Sequence, residues 1–333
     1  MQAARLGAFL LVLACTAGSV AAQPGGELTS FPVLQLEPSA RSAALGGAFA
    51  AVADGDVNAL FYNPAVPGPA TSRRASFSYL NHLSDLNVGS VAYSQALPAL
   101  EATVSGGLRF AHWGTFEGRD RFGTPTGDFG AGAAVLTMGA SRSYGARLRY
   151  GASLHLLHAR IEAASASALA ADLGVLYRLP DRQLAVGAAL RNAGGTVDGF
   201  GDSADDLPPD LQVGLSKRLA HLPLLLTATA YDLTDLSEGL RGGGTVDHVL
   251  GHLTFGAELR PGDILRVRVG YNHRRSQELA LTDRFDFAGV GVGFGVTVSG
   301  LTVDYAYNSW SSLGGLHQFS LRTDLGAWAG EDE

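Results

Sequence analysis

Residues Ile264–Asn272 read ILRVRVGYN. Leu265, Val267, Val269 and Tyr271 alternate with Arg266, Arg268, Gly270 and Asn272. Successive side chains of a strand point to opposite faces. One face of this stretch is therefore apolar, and the other carries two guanidinium groups. The texture recurs. In 148–156, Leu148, Tyr150, Ala152, Leu154 and Leu156 oppose Arg149, Gly151, Ser153 and His155. In 253–259, Leu253, Phe255, Ala257 and Leu259 oppose Thr254, Gly256 and Glu258. In 301–308, Leu301, Val303, Tyr305 and Tyr307 oppose Thr302, Asp304, Ala306 and Asn308. The period is 2, not 3.6.

Fourteen candidate strands follow from this pattern, near 75–80, 88–96, 102–113, 132–142, 148–158, 168–177, 184–191, 209–217, 224–231, 251–259, 264–273, 287–296, 299–307 and 316–323. The links after even-numbered strands are short: ALPAL, RSYGAR, RLPDRQ, RLAHLP, RPGD and TVSG. The links after odd-numbered strands are longer and more polar, as in GTFEGRDRFGTPTGDFGAG and NHRRSQELALTDRFD. Short periplasmic turns, long external loops and an even strand count are the signature of an outer-membrane barrel with both termini periplasmic. In hydrocarbon every backbone polar group needs an internal partner, and a closed barrel supplies one. The expected fold is all-β: a transmembrane 14-stranded antiparallel β-barrel over 73–325. A soluble β-sandwich or solenoid is the rival, but it predicts no long–short alternation of loops.

Composition agrees. Hydrophobic residues make up 46% of the chain and charged residues 17%. Glycine reaches 44 of 333 residues, about twice the ~7% norm. After the first residues, no run reaches the ~18 consecutive apolar positions of a spanning helix. The net charge is −7, Lys217 is the sole lysine and there is no basic run. These features argue against a nucleic-acid partner.

The chain opens MQAARLGAFLLVLACTAGSVAAQPGG. Arg5 is a positive n-region, Leu6–Val20 an apolar core, and Val20-Ala21-Ala22 a small-residue site for cleavage before Gln23. Residues 1–22 thus read as a secretory signal. The rival is a lipoprotein signal acylated at Cys15, which VLAC fits poorly because of Leu13. Cys15 is the only cysteine, so a cleaved chain has no disulfide and no thiolate chemistry. No cofactor is expected.

Residues 23–72 differ in texture. Short helices are expected around Ala40–Ala44 and Asp56–Phe61, and Pro64, Pro67 and Pro69 then break regular structure. Ser39–Ala65, SARSAALGGAFAAVADGDVNALFYNPA, carries Gly46-Gly47, the acidic pair Asp54 and Asp56, and Tyr62-Asn63-Pro64. This stretch resembles the N-terminal region of the FadL-like outer-membrane superfamily. Phe31–Ala48, Phe77–Ser94 and Leu207–Leu233 resemble, more narrowly, the PorV/PorQ family of the type IX secretion system, and its compact PorQ-type members best. The resemblance spans about 31–322. It implies a non-enzymatic fourteen-stranded barrel, set in outer-membrane lipid, with 23–72 as a luminal plug. It also implies PorZ-like and PorU-like surface proteins as partners, docked on external loops. FadL-type passage of hydrophobic solutes and a lipid hydrolase are the alternative functions. A plug would touch inward groups such as Arg149, Glu258, Arg266 and Arg268; the rival reading is a periplasmic tail. Residues 326–333 read as a C-terminal tail.

Other patterns weigh less. Gly289, Gly291, Gly293 and Gly295 keep strand spacing, which is wrong for a dinucleotide loop. They suggest a smooth stripe against which the plug packs, so a bulky residue at Gly291 should hinder assembly. Asp54, Asp56 and Asn58 have calcium-loop spacing, but Ala59 and Ala65 stand where Gly and Glu are needed. Helix capping by Asp54 or Asp56 fits better. His248 and His252 lack the glutamate of a zinc-protease signature. Ser153 and His155 are the nearest approach to a hydrolase pair. Arg119, Arg121, Arg274, Arg275 and Arg284 are expected in external loops, pairing either lipid phosphates or Asp120, Asp128 and Asp283.

Overall fold

The computed structural model describes residues 31–81, 86–200, 207–234, 236, 245–279, 287–309 and 314–328. The signal segment, Asp283 and Arg284 lie outside them. The strands are β1 (Arg74–Asn81), β2 (Asn87–Leu97), β3 (Ala102–Arg119), β4 (Pro125–Tyr144), β5 (Leu148–Ile161), β6 (Ala164–Leu179) and β7 (Leu184–Asp198). They continue as β8 (Asp210–Arg218), β9 (Leu224–Ala230), β10 (Leu253–Leu259), β11 (Leu265–Asn272), β12 (Val290–Val298), β13 (Leu301–Ser309) and β14 (Gly315–Asp324). Each pairs antiparallel with its sequence neighbours, and β1 pairs with β14 from Arg74↔Asp324 to Asn81↔His317. The ring is closed, so no strand edge is left open along the wall.

The wall follows the alternation. In β11, Leu265, Val267 and Val269 are exposed on the outside, while Arg268, Gly270 and Asn272 are buried. In β5 the outward Leu154 is 67% exposed and its neighbours Ser153 and His155 are 2% exposed. The outside is apolar, and the lumen buries both polar wall residues and the apolar clusters of the N-terminal segment.

The even links are short and share one end of the barrel with the start of β1 and the end of β14. The odd links depart from expectation. Much of the polar stretch after the third strand is strand: β3 and β4 run on as a two-stranded ribbon to a turn at 120–124. The β5–β6 link is only two residues. At this end α2 (Thr245–Gly251) and α3 (His273–Leu279) fold back toward the wall. Arg274 and Arg275, expected on a free loop, lie on α3; Arg274 pairs with Asp232 at 2.6 Å.

The N-terminal segment fills the lumen. Helix α1 (Ala40–Ala44) is capped by Ser39, whose side chain accepts the Ser42 N–H. It stops at Gly46 and Gly47, both left-handed, a conformation costly for residues with a Cβ. A 3-10 turn, Val57–Phe61, is capped by Asp56. From Phe31 to Thr71 most residues are buried. Phe31, Val33 and Leu34 join an apolar cluster with Leu80, Val88, Val135 and Leu157, toward the end with the long links.

Candidate functional site

Arg41, on the first turn of α1, is 2% exposed and faces three carboxylates. Its Nη2 donates to Asp54 Oδ2 at 2.7 Å, its Nη1 to Asp56 Oδ2 at 3.1 Å and its Nε to Glu258 Oε2 at 2.8 Å. Asp54 and Asp56 belong to the plug; Glu258 projects from β10. Arg268, the fourth residue of β11, donates to Glu258 at 2.7 Å and to Asp304 on β13 at 2.7 Å. Arg322 on β14 spans Asp304 at 2.7 Å and Asp56 at 3.0 Å. Arg260 closes the set on Glu258 at 2.6 Å and also pairs with Asp54. Four guanidiniums and four carboxylates thus bind the plug to β10, β11, β13 and β14, and a fifth guanidinium, Arg218, stands 3.7 Å from Asp54. A pairing this buried is stabilising only if every charge keeps its partners.

The sequence singled out four inward polar residues, and the structure separates them. Glu258 touches the plug directly. Arg149 does too, donating from Nη1 to Val66 O at 2.6 Å. Arg268 acts one step away, through Glu258. Arg266 is the correction: its hydrogen bond goes to Thr297 on the neighbouring strand, not to the plug. It sits nearer the short-turn end, half-buried, past the reach of α1.

The plug motif is distributed over the lumen. Tyr62 donates its hydroxyl to Glu37. Asn63 donates to Ala50 O at 3.0 Å within the plug and to Val175 O at 3.2 Å on β6, while its Oδ1 accepts the Ala65 N–H at 2.9 Å. Pro64 lies against Gly151 of β5. Asp56 does double duty, capping Asn58 N at 3.0 Å and holding Arg41. Gly46 runs along the backbone of Tyr271, and Gly47 along the Glu37 carboxylate. Of the glycine stripe, Gly291 and Gly293 do receive α1, through Ala43 O and the Ala44 Cβ. Gly295 instead gives the Arg268 guanidinium room to lie flat, and Gly289 precedes β12 with a left-handed φ of 80°.

Burial alone would raise the Asp54 carboxyl. The charge and hydrogen bond of Arg41, with Arg260 and Arg322, hold it well below the usual carboxylate range. Its stabilising contribution is therefore complete above the unfolded value of about 4 and is lost only as pH falls through the depressed folded value. The plug is expected to resist protease at pH 5 and to become cleavable only at pH well below 4, while Asp54→Asn flattens this dependence. Limited proteolysis of the purified barrel across that pH range is the check.

Ser153 and His155 meet Asp172 and Thr137, all buried. His155 Nε2 lies 2.8 Å from Asp172 Oδ2 and 3.5 Å from Ser153 Oγ, while Nδ1 is taken by Thr137 at 2.9 Å. A nucleophile relay needs the acid on one ring nitrogen and the serine on the other; here one nitrogen serves both. Asp172 also accepts the Asn192 N–H at 2.8 Å, pinning the bulge where Arg191 and Asn192 face it across β6 and β7. The cluster is a structural brace.

A cavity lined by Arg109, Glu37, Ser90 and Gln318 has a volume of about 10 Å³, no more than one water needs. Sequence reasoning missed Glu37, Arg41, Arg260, Asp304 and Arg322. Asp304 was legible as an inward carboxylate in a strand, a costly placement that demands a partner.

The fold has known counterparts. Over 86% of this chain and 98% of the other, a deletion mutant of the TodX monoaromatic hydrocarbon channel superposes with a TM-score of 0.55 at 15% identity. A FadL homologue of Pseudomonas aeruginosa superposes over the same shares with a TM-score of 0.53 at 12% identity. The fold is that of the FadL-like outer-membrane barrels. The sequence matches no protein-family model and no curated protein.

Proposed function

We propose that this FadL-like barrel sits in the outer membrane as a non-enzymatic anchor for a surface protein, in the manner of PorQ-type members of the type IX attachment complex. The observation that carries this reading is the ionic lock: a plug held by Arg41, Glu258 and Arg322 suits a fixed platform better than a passage. The β3–β4 ribbon supports it. Beyond the row Asn87↔His112 the ribbon has left β2, and it displays Phe116 and Phe122. A two-stranded ribbon is marginal in water, and exposed aromatics there suit a protein contact. PorZ-like or PorU-like surface proteins are the partners in this reading.

A second reading is FadL-type passage of hydrophobic solutes. It is favoured by the fold shared with TodX, itself a monoaromatic hydrocarbon channel, and by the bulge at Trp113-Gly114 that loosens β3 from β4. Affinity capture of the intact protein from outer membranes separates the two. Anchoring predicts recovery of a PorZ-like or PorU-like protein, lost on deleting 116–128, and no hydrocarbon uptake by proteoliposomes. Recovery of the barrel alone, with uptake, sinks the anchor.

A further inference from the structure

On the outer surface, three cross-strand rows cover β3 to β6. The first is Leu108↔Leu136↔Leu156↔Leu169. All four leucines are 40–52% exposed, and they belong to the lipid-facing band. Two residues further toward the long-link end, the row reads Phe110↔Ala134↔His158↔Ser167. Two further still, it reads His112↔Gly132↔Arg160↔Ser165. The surface turns from hydrocarbon-like to cationic within ~13 Å along the strands.

At the turning point lies an open cleft of about 510 Å³. Its floor is Gly130, Gly132 and Ala134 of β4, and its walls are His112 on one side and His158 and Arg160 on the other. The walls stand two strands apart, ~10 Å, wide enough to admit a phosphate with its sugar or glycerol. The floor glycines let the His112 ring lean over β4, where it lies 3.8 Å from the place a Cβ on Gly132 would take. His158 binds Ser167 Oγ through Nδ1 at 3.1 Å, leaving Nε2 for the cleft. Arg160 Nε donates to the Glu162 carbonyl at 2.9 Å, which fixes the stem and leaves the two terminal nitrogens as donors. Glu162, at the rim, is the sole carboxylate among the lining residues.

We propose that this cleft binds the phosphorylated headgroup of a membrane lipid in the leaflet at the long-link end, with the acyl chains lying down the leucine row. Guanidinium and imidazole donors are matched to phosphate oxygens. The adjoining apolar row selects a lipid over a free anion. The inference rests on the barrel in its membrane and is independent of what the barrel docks or passes.

The test is native mass spectrometry of the full-length barrel in detergent, titrated with bisphosphorylated lipid A, with its dephosphorylated form and with inorganic phosphate. One bound phosphorylated lipid is expected. The double variant His112→Gln/Arg160→Gln should lower its occupancy about tenfold, as losing a charge-assisted hydrogen bond does. Gly130→Leu keeps Arg160 and both histidines but fills the floor; a Cβ there makes only ordinary contacts at 3.6 Å and 3.7 Å. It should lower occupancy as well. Arg142→Gln, at the opposite end beside Glu101, should not. Heat-modifiable gel mobility reports that each variant is folded. Equal retention by either cleft variant, equal binding of the dephosphorylated lipid, or displacement of lipid by equimolar inorganic phosphate would each overturn the proposal.

Discussion

Arg41→Ala is expected to unseat the plug while leaving the wall standing. The substitution leaves Glu258, Asp54 and Asp56 in the lumen without their shared cation. Removing one member of a buried ion set costs on the order of 3–5 kcal/mol. The wall keeps its strand ladders, so the loss falls on the plug. Purified Arg41→Ala should stay a heat-modifiable barrel on gels, yet become cleavable within 31–72 and conduct in planar bilayers. Arg41→Lys should recover little, because an ammonium cannot serve three carboxylates with the forked geometry of a guanidinium. A protected plug and a silent bilayer in Arg41→Ala would mean that the lock does not hold the segment.

Gly270→Val should have an effect of similar size by a different route. A Cβ on Gly270 would stand 2.2 Å from Gly46 N and from Leu45 C. The obstacle is backbone, which cannot rotate aside, and overpacking beyond what rotamers absorb costs ~3 kcal/mol or more. We expect reduced assembly into membranes and a lowered unfolding temperature. Gly195→Val, whose Cβ meets nothing within 4 Å, is the matched control. Equal yield and stability for the two variants would show that α1 does not need the close approach.

The wall was legible from the sequence because the lipid–lumen alternation admits no slip of register: one residue of shift would turn Arg268 into hydrocarbon. All fourteen expected strands are present, and Ala40–Ala44 and the turn ending at Phe61 fall where the helix signals put them. Strand ends were less legible. The ribbon of β3 and β4 carries Gly114, Gly118 and Gly127, which read as loop, and only pairing across the turn makes them strand. The lock was half visible. Glu258 and Arg268 stand out as inward charges on adjacent strands, but their meeting with Arg41 and Arg322 joins positions far apart in the chain. Arg266 misled because the alternation reports a face and not a depth. Its inward phase is the same as that of Arg268; its height along the barrel is not.

The seating of α1 sets an order of events for biogenesis. Residues 40–44 leave the ribosome before any strand, yet their partners, β11 to β14, are made last. A ring closed without the segment would leave Glu258 without Arg41 and Arg322 without Asp56. The charges of the wall are therefore fully matched only if the segment waits beside the growing sheet and is enclosed when β14 zips onto β1. Insertion and sealing are then one act, and a machine that closes this cylinder closes it around its own stopper.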